Sequence, residues 1–186
     1  GRGREGEGPS GAAPLYWHFL GAAAYDEGHW DEARRAFEEA VRQNGKLVAT
    51  KGSGAPGTLD LDKVYNMIGL CYQALNKPEE AVSAFETGLQ HNPEAFECLS
   101  NLASIYTDVR GDYLKAKMFL EKAQSVQPNS AEVANNLGWA HELLGDPAGA
   151  LLWYRRAADL LSPRTHPQIF TNIKNLEHRL NKEQSS

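Results

Sequence analysis

Tyr65-Asn66-Met67-Ile68-Gly69-Leu70-Cys71-Tyr72 is followed by Leu75-Asn76-Lys77-Pro78, then by Ala81, Phe85, Gly88 and Leu89, and the stretch closes at Asn92-Pro93. Tyr65, Ile68 and Tyr72 fall three and four residues apart, which places them on one stripe of an α-helix. Gly69 leaves room beside that stripe for a neighbouring helix. The run ending at Pro78 breaks the first helix, Ala81, Phe85, Gly88 and Leu89 build a second stripe, and Asn92-Pro93 stops the chain. Two helices joined this way pack antiparallel.

The same plan recurs on both sides at a spacing of about 34 residues, the period of stacked helix-turn-helix units. Leu20-Gly21, Leu102-Ala103 and Leu137-Gly138 repeat the Ile68-Gly69 point, and Ala33, Ala116 and Ala150 repeat Ala81. The first interval is longer and holds an insertion. The third unit uses Leu99, Leu102, Ala103, Tyr106, Ala116, Leu120, Ala123 and Pro128; the fourth uses Ala134, Leu137, Gly138, His141, Gly145, Ala150, Tyr154, Ala157 and Pro163. Small residues alternate with large ones because close helix crossing needs a recess on one ridge for each bulky side chain on the other. One unit is too small to bury its own apolar face. Stacking gives each face a neighbour, so the period predicts an elongated solenoid.

Trp17, Leu20, Gly21, Gly28, Ala33, Phe37 and Ala40, with their equivalents in the later units, resemble the tetratricopeptide repeat. The resemblance implies an all-α fold, a right-handed superhelical α-solenoid of stacked helix-turn-helix repeats with a C-terminal capping helix. It implies a tetratricopeptide domain over residues 14–182, with repeats at about 14–45, 62–95, 96–130 and 131–164. Two departures stand out: Ala24 replaces the Tyr or His found at Tyr72, Tyr106 and His141, and the third unit gains a residue around Val109-Arg110-Gly111. After Pro163 the chain restarts at Pro167, and Ile169, Phe170, Ile173, Leu176 and Leu180 lie at helical spacing. This predicts a capping helix over 167–182, with Lys174, Glu177, Arg179 and Lys182 toward water. Residues 183–186 are expected to fray.

The segment between the first two units, 46–60, is expected to be a surface loop rich in glycine, with Asp60 or Asp62 capping the next helix. Gly52 and Gly54 do not form a phosphate loop, because no Gly-Lys-Ser/Thr run follows and no strand precedes. Residues 1–13, Gly-rich and poor in apolar side chains, read as a disordered linker. The absence of an initial Met points to a longer precursor or an excised fragment. The formal net charge of −5 argues against general nucleic-acid binding. No apolar run approaches the roughly 18 to 20 residues of a membrane span. Cys71 and Cys98 sit at helical positions and are expected to be buried thiols in a reducing, intracellular and most simply cytoplasmic compartment.

Function is sought on the concave face, which in this family is lined by the first helix of each pair. Asn101 and Asn136 precede the small-residue points of the third and fourth units, and Asn172 precedes Ile173 in the cap. They resemble an asparagine ladder, since an amide offers both donor and acceptor to an extended peptide backbone. Tying neighbouring helices together is the alternative role. The same register adds Lys63, Asn66, Leu70 and Gln73 from the second unit. The third supplies Glu97, Ser100, Ser104, Thr107 and Asp108, and the fourth Glu132, Asn135, Trp139 and Glu142. Trp139 is expected to be an aromatic anchor, or else to pack on the capping helix.

Acid outnumbers base on this face, which predicts a preference for basic peptide segments. The clamp that related domains use for acidic chaperone C-termini is missing, its sites falling on His18, Ala22, Met67, Glu97 and Ser100. The six His residues form no metal-binding spacing and no Ser elbow occurs, so neither a cofactor nor catalysis is expected. The resemblance therefore implies a protein-interaction scaffold, either an adaptor or co-chaperone, or a substrate-docking domain of a larger enzyme such as a glycosyltransferase.

Overall fold

A computed structural model describes residues 14–161 and 166–184, and these hold nine helices and no strand. They fall into two compact units that divide after Ala95. The first contains α1 (Pro14–Asp26), α2 (Trp30–Lys51), α3 (Leu61–Ala74) and α4 (Pro78–His91). The second contains α5 (Phe96–Asp108), α6 (Tyr113–Val126), α7 (Ala131–Leu143), α8 (Pro147–Asp159) and α9 (Pro167–Gln184). In each unit successive helices pack in pairs, and α2 rests on α3, α6 on α7 and α8 on α9. The predicted linker 1–13 and the terminal Pro163 lie outside the described residues.

The connector inside every pair carries one left-handed residue: Gly28, Asn76, Gly111 and Gly145, with φ of 80°, 57°, 63° and 75°. This conformation ends the first helix and turns the chain back, at least cost for Gly or Asn. The connector before α6 is one residue longer than the others, as the sequence predicts, and Asp112 there caps α6 by accepting from the Lys115 N–H at 3.0 Å. Pro78 and Pro147 open α4 and α8, where a missing N–H costs nothing.

Three of the four crossings inside a pair are set by a glycine against an aromatic ring. A Cβ added to Gly69 would lie 2.4 Å from Phe85, one at Gly138 2.6 Å from Tyr154, and one at Gly21 2.9 Å from Phe37. The third pair has Ala103 instead, and the residue at the ring position is Leu120; both are buried. In the first unit Phe37, Val64, Ile68 and Cys71 share one core cluster. In the second, Ile169 of α9 joins Ala134 and Ala157, and Leu176 joins Ala150 and Tyr154. The capping helix is therefore present, and runs two residues beyond Lys182.

Three expectations need correction. The proposed loop 46–60 is helical at its start, because α2 continues to Lys51 and only residues 52–60 connect to α3. Buried Asn44 holds this extension in place by accepting the Leu59 N–H at 2.8 Å. Asp60 stands at the cap position of α3 but makes no capping bond; its carboxylate pairs with Lys63 at 2.8 Å, while Asp62 accepts from Asn92 at 2.9 Å. Leu20 heads a core stripe in the sequence yet is 44% exposed, whereas its equivalents Ile68, Leu102 and Leu137 are buried. No described helix stacks on the outer side of α1.

Candidate functional site

In the second unit α5 and α7 are the first helices of their pairs, so equivalent positions on them face the same way. Ser104, Thr107 and Asp108 from α5, Asn135, Asn136 and Trp139 from α7, and Ala103 and Leu120 at the floor enclose a recess of ≈ 210 Å³. That is room for about seven waters, or one large side chain. Trp139 is 49% exposed at its edge. Its helix holds it there because Leu137 and Gly138, just before it, are buried against the pair's second helix.

The polar groups are partly committed. The Ser104 hydroxyl donates to Asp108 Oδ2 at 3.0 Å, and the Thr107 hydroxyl donates to the Ala103 carbonyl at 2.9 Å. Asn135 Nδ2 donates to Asn136 Oδ1 over 3.4 Å, a long bond that an incoming amide replaces readily. No Lys or Arg lines the recess, so the Asp108 carboxylate faces it without a cation among the lining residues.

The remaining predicted residues are distributed more widely. Asn101 is half-buried on α5, and Glu97 and Glu132 are exposed in the first turns of α5 and α7; none of the three lines the recess. Asn66, Leu70 and Gln73 are half-buried on α3 in the first unit. Glu142 is engaged elsewhere: Arg179 of α9 donates to its Oε1 at 2.9 Å and the Tyr154 hydroxyl donates to its Oε2 at 3.3 Å. Burial first and this carboxylate second push the Tyr154 phenol well above its usual range. Asn172 accepts from Gln168 at 2.9 Å and hydrogen-bonds Tyr154, so it serves to hold α9. Leu120 was legible as core but not as recess floor, because it lies on α6, the second helix of its pair, whereas the register reading covered first helices only.

Other chemistry is sparse among the described residues. No group of three or more His, Cys, Asp or Glu is placed to hold a metal ion. Cys71 and Cys98 are both buried and form no disulfide, and burial pushes the Cys71 thiol up to about 11. His141 sits 2.8 Å from Asp146, whose other oxygen caps α8 through the Gly149 N–H at 2.9 Å. No described helix is long and apolar enough to cross a membrane.

Models of the tetratricopeptide repeat match residues 14–47, 62–95 and 94–162. The general transcriptional corepressor trfA of Dictyostelium discoideum is 24% identical over 123 residues, covering 65% of this chain but only 9% of that protein. Among solved structures, MamA aligns with a TM-score of 0.66 at 18% identity, covering 79% of this chain and 77% of MamA. YrrB, described as a TPR protein with an unusual peptide-binding site, aligns with a TM-score of 0.65 at 16% identity, covering 91% of this chain and 76% of YrrB.

Proposed function

The chain belongs to the tetratricopeptide repeat family, and we propose that it is a protein-interaction scaffold holding an extended peptide segment in the recess between α5 and α7, as an adaptor or co-chaperone. The half-exposed indole of Trp139 beside the Asn135 and Asn136 amides carries this reading. An indole supplies large contact area with little entropy to lose, and two amides can pair with a peptide backbone whatever its side chains. The peptide-binding description of YrrB agrees with it.

The segment bound is one carrying Lys or Arg. Asp108 inside the recess is the carboxylate placed to receive it, with exposed Glu97 and Glu132 adding to the local field. Glu142 contributes less than its sequence position promises, since Arg179 neutralises it. Calorimetric titration of an extended Lys-containing peptide against its Glu-substituted counterpart tests the proposal. The basic peptide is expected to bind more tightly at low salt and to lose affinity as salt rises, because exposed charges are screened over roughly 8 Å at physiological ionic strength. Trp139→Ala is expected to weaken binding by about tenfold or more, and Asn136→Ala by less. Equal binding of the two peptides, or unchanged binding by Trp139→Ala, would overturn it.

A further inference from the structure

The first unit contains one recess twice, in two states of cover. On the second pair it is bounded by Tyr65, Ile68 and Tyr72 of α3 and by Ser83, Ala84 and Thr87 of α4, and measures ≈ 240 Å³. The equivalent residues of the first pair are Trp17, Leu20 and Ala24 of α1 and Arg35, Ala36 and Glu39 of α2, and they line a recess of ≈ 700 Å³. What differs is the neighbour. The second pair is covered by α2, whose Phe37 joins Val64, Ile68 and Cys71 in one cluster. The Arg34 guanidinium lies 5.6 Å over the Tyr72 ring, and Tyr72 donates to Glu38 at 3.4 Å. Ile68 is consequently 4% exposed against 44% for Leu20.

We propose that the outer face of the first pair docks an amphipathic helix of a partner protein, seated as α2 seats on the second pair. The covered copy specifies the chemistry of the occupant: an apolar helical seam of the kind α2 presents, running along Leu20 and Ala36. Ala24 stands where Tyr72 stands in the covered copy, so the seam carries a large apolar or aromatic side chain to fill that space. Most of the charges at the rim, Glu32 excepted, are paired within α2: Arg35 with Asp31 at 2.6 Å, Glu38 with Arg34 at 2.7 Å, and Arg42 with Glu39. Shape and apolar area therefore select the occupant, and its binding depends little on salt. This face shares no residue with the peptide recess of the second unit.

A fluorescent peptide with the sequence of residues 30–51, cross-linked on its polar side to hold it helical, is the probe. Titrated into the full chain and followed by anisotropy, it is expected to bind at least about tenfold more tightly than a scrambled version of equal composition. Leu20→Asp is expected to abolish that advantage while leaving the melting temperature unchanged, since Leu20 is already half exposed; Leu20→Ser replaces it if the charged variant unfolds. Trp139→Ala, which tests the peptide recess, leaves helix binding unchanged. Equal binding of the scrambled helix, or full binding by the folded Leu20 variant, overturns the proposal. So does self-association of the chain that Leu20→Asp abolishes, which assigns the face to a second copy, and so does binding that requires removal of residues 1–13, which assigns it to the chain's own segment.

Discussion

The last helix pair and the first are built on the same plan and end differently. On α7 and α8 the outer apolar face is covered by α9, whose Ile169 and Leu176 are 7% and 1% exposed. On α1 the corresponding surface keeps Tyr16, Phe19 and Leu20 at 47%, 66% and 44% exposure. A helix pair of this size lacks the apolar area to be self-sufficient, so each draws stability from whatever stacks on it. The stripe in the sequence says which residues are suited to burial. The neighbour decides whether burial happens.

That contrast breaks most visibly at the leucines. Leu137→Ala and Leu176→Ala should each cost about 2 to 5 kcal/mol, because both side chains are enclosed and leave cavities. Leu20→Ala should stay within about 0.5 to 1 kcal/mol. Urea unfolding of the three variants is the measurement, and similar losses at Leu20 and Leu137 would mean that α1 is covered after all. Next in size is the glycine crossing. Gly69→Ala should cost about 1 to 3 kcal/mol by driving a Cβ into Phe85, and adding Phe85→Leu should recover part of the loss, since the third pair holds Ala103 and Leu120 in those roles. A double variant no better than Gly69→Ala alone would mean that the ring is not the obstacle.

A smaller effect concerns pH. The folded pKa of Cys71 lies above that of a free thiol, so the folded state holds a proton that the unfolded chain gives up. Stability from this group is complete below about pH 8.5 and falls as pH rises toward 11. A melting series from pH 8 to 10.5 should show a decline that Cys71→Ala reduces, and thiol reagents should reach Cys71 only on unfolding. Smallest of all are the ion pairs beside the cap. Arg179→Ala and Arg155→Ala remove exposed partners of Glu142 and Glu177 and should each change stability by less than about 1 kcal/mol, the difference shrinking in salt. A larger loss would make charge, and not the Ile169 and Leu176 burial, the main hold on α9.

The helix pairs, their order and the cap were legible because small and large residues recur in phase, and that recurrence reports close crossings directly. The recess between α5 and α7 was legible by register for Ser104, Thr107, Asn135, Asn136 and Trp139. Register could not show that Arg179, far along the chain, compensates Glu142, because that pairing exists only once α9 has docked. Gly45 and Lys46 looked like the edge of a loop, yet the helix runs through them. A glycine in a helix costs about 1 kcal/mol, and the Asn44 bond to Leu59 together with Leu47 lying near Gly57 outweighs it. Leu20 was misplaced for the opposite reason: its pattern is that of a core residue, and the missing factor is a neighbour.

The glycine crossings also constrain how such a chain can change over generations. A pair moving from glycine and ring, as in Gly69 and Phe85, to alanine and leucine, as in Ala103 and Leu120, must pass through one of two intermediates. Replacing the glycine first sets a methyl group 2.4 Å from an aromatic carbon that the surrounding core holds in place. Replacing the ring first leaves a void into which neighbouring side chains can partly relax. The second route is the passable one, so across descendants of this chain the aromatic position should drift ahead of the glycine, and glycine facing leucine should be a commoner combination than alanine facing phenylalanine.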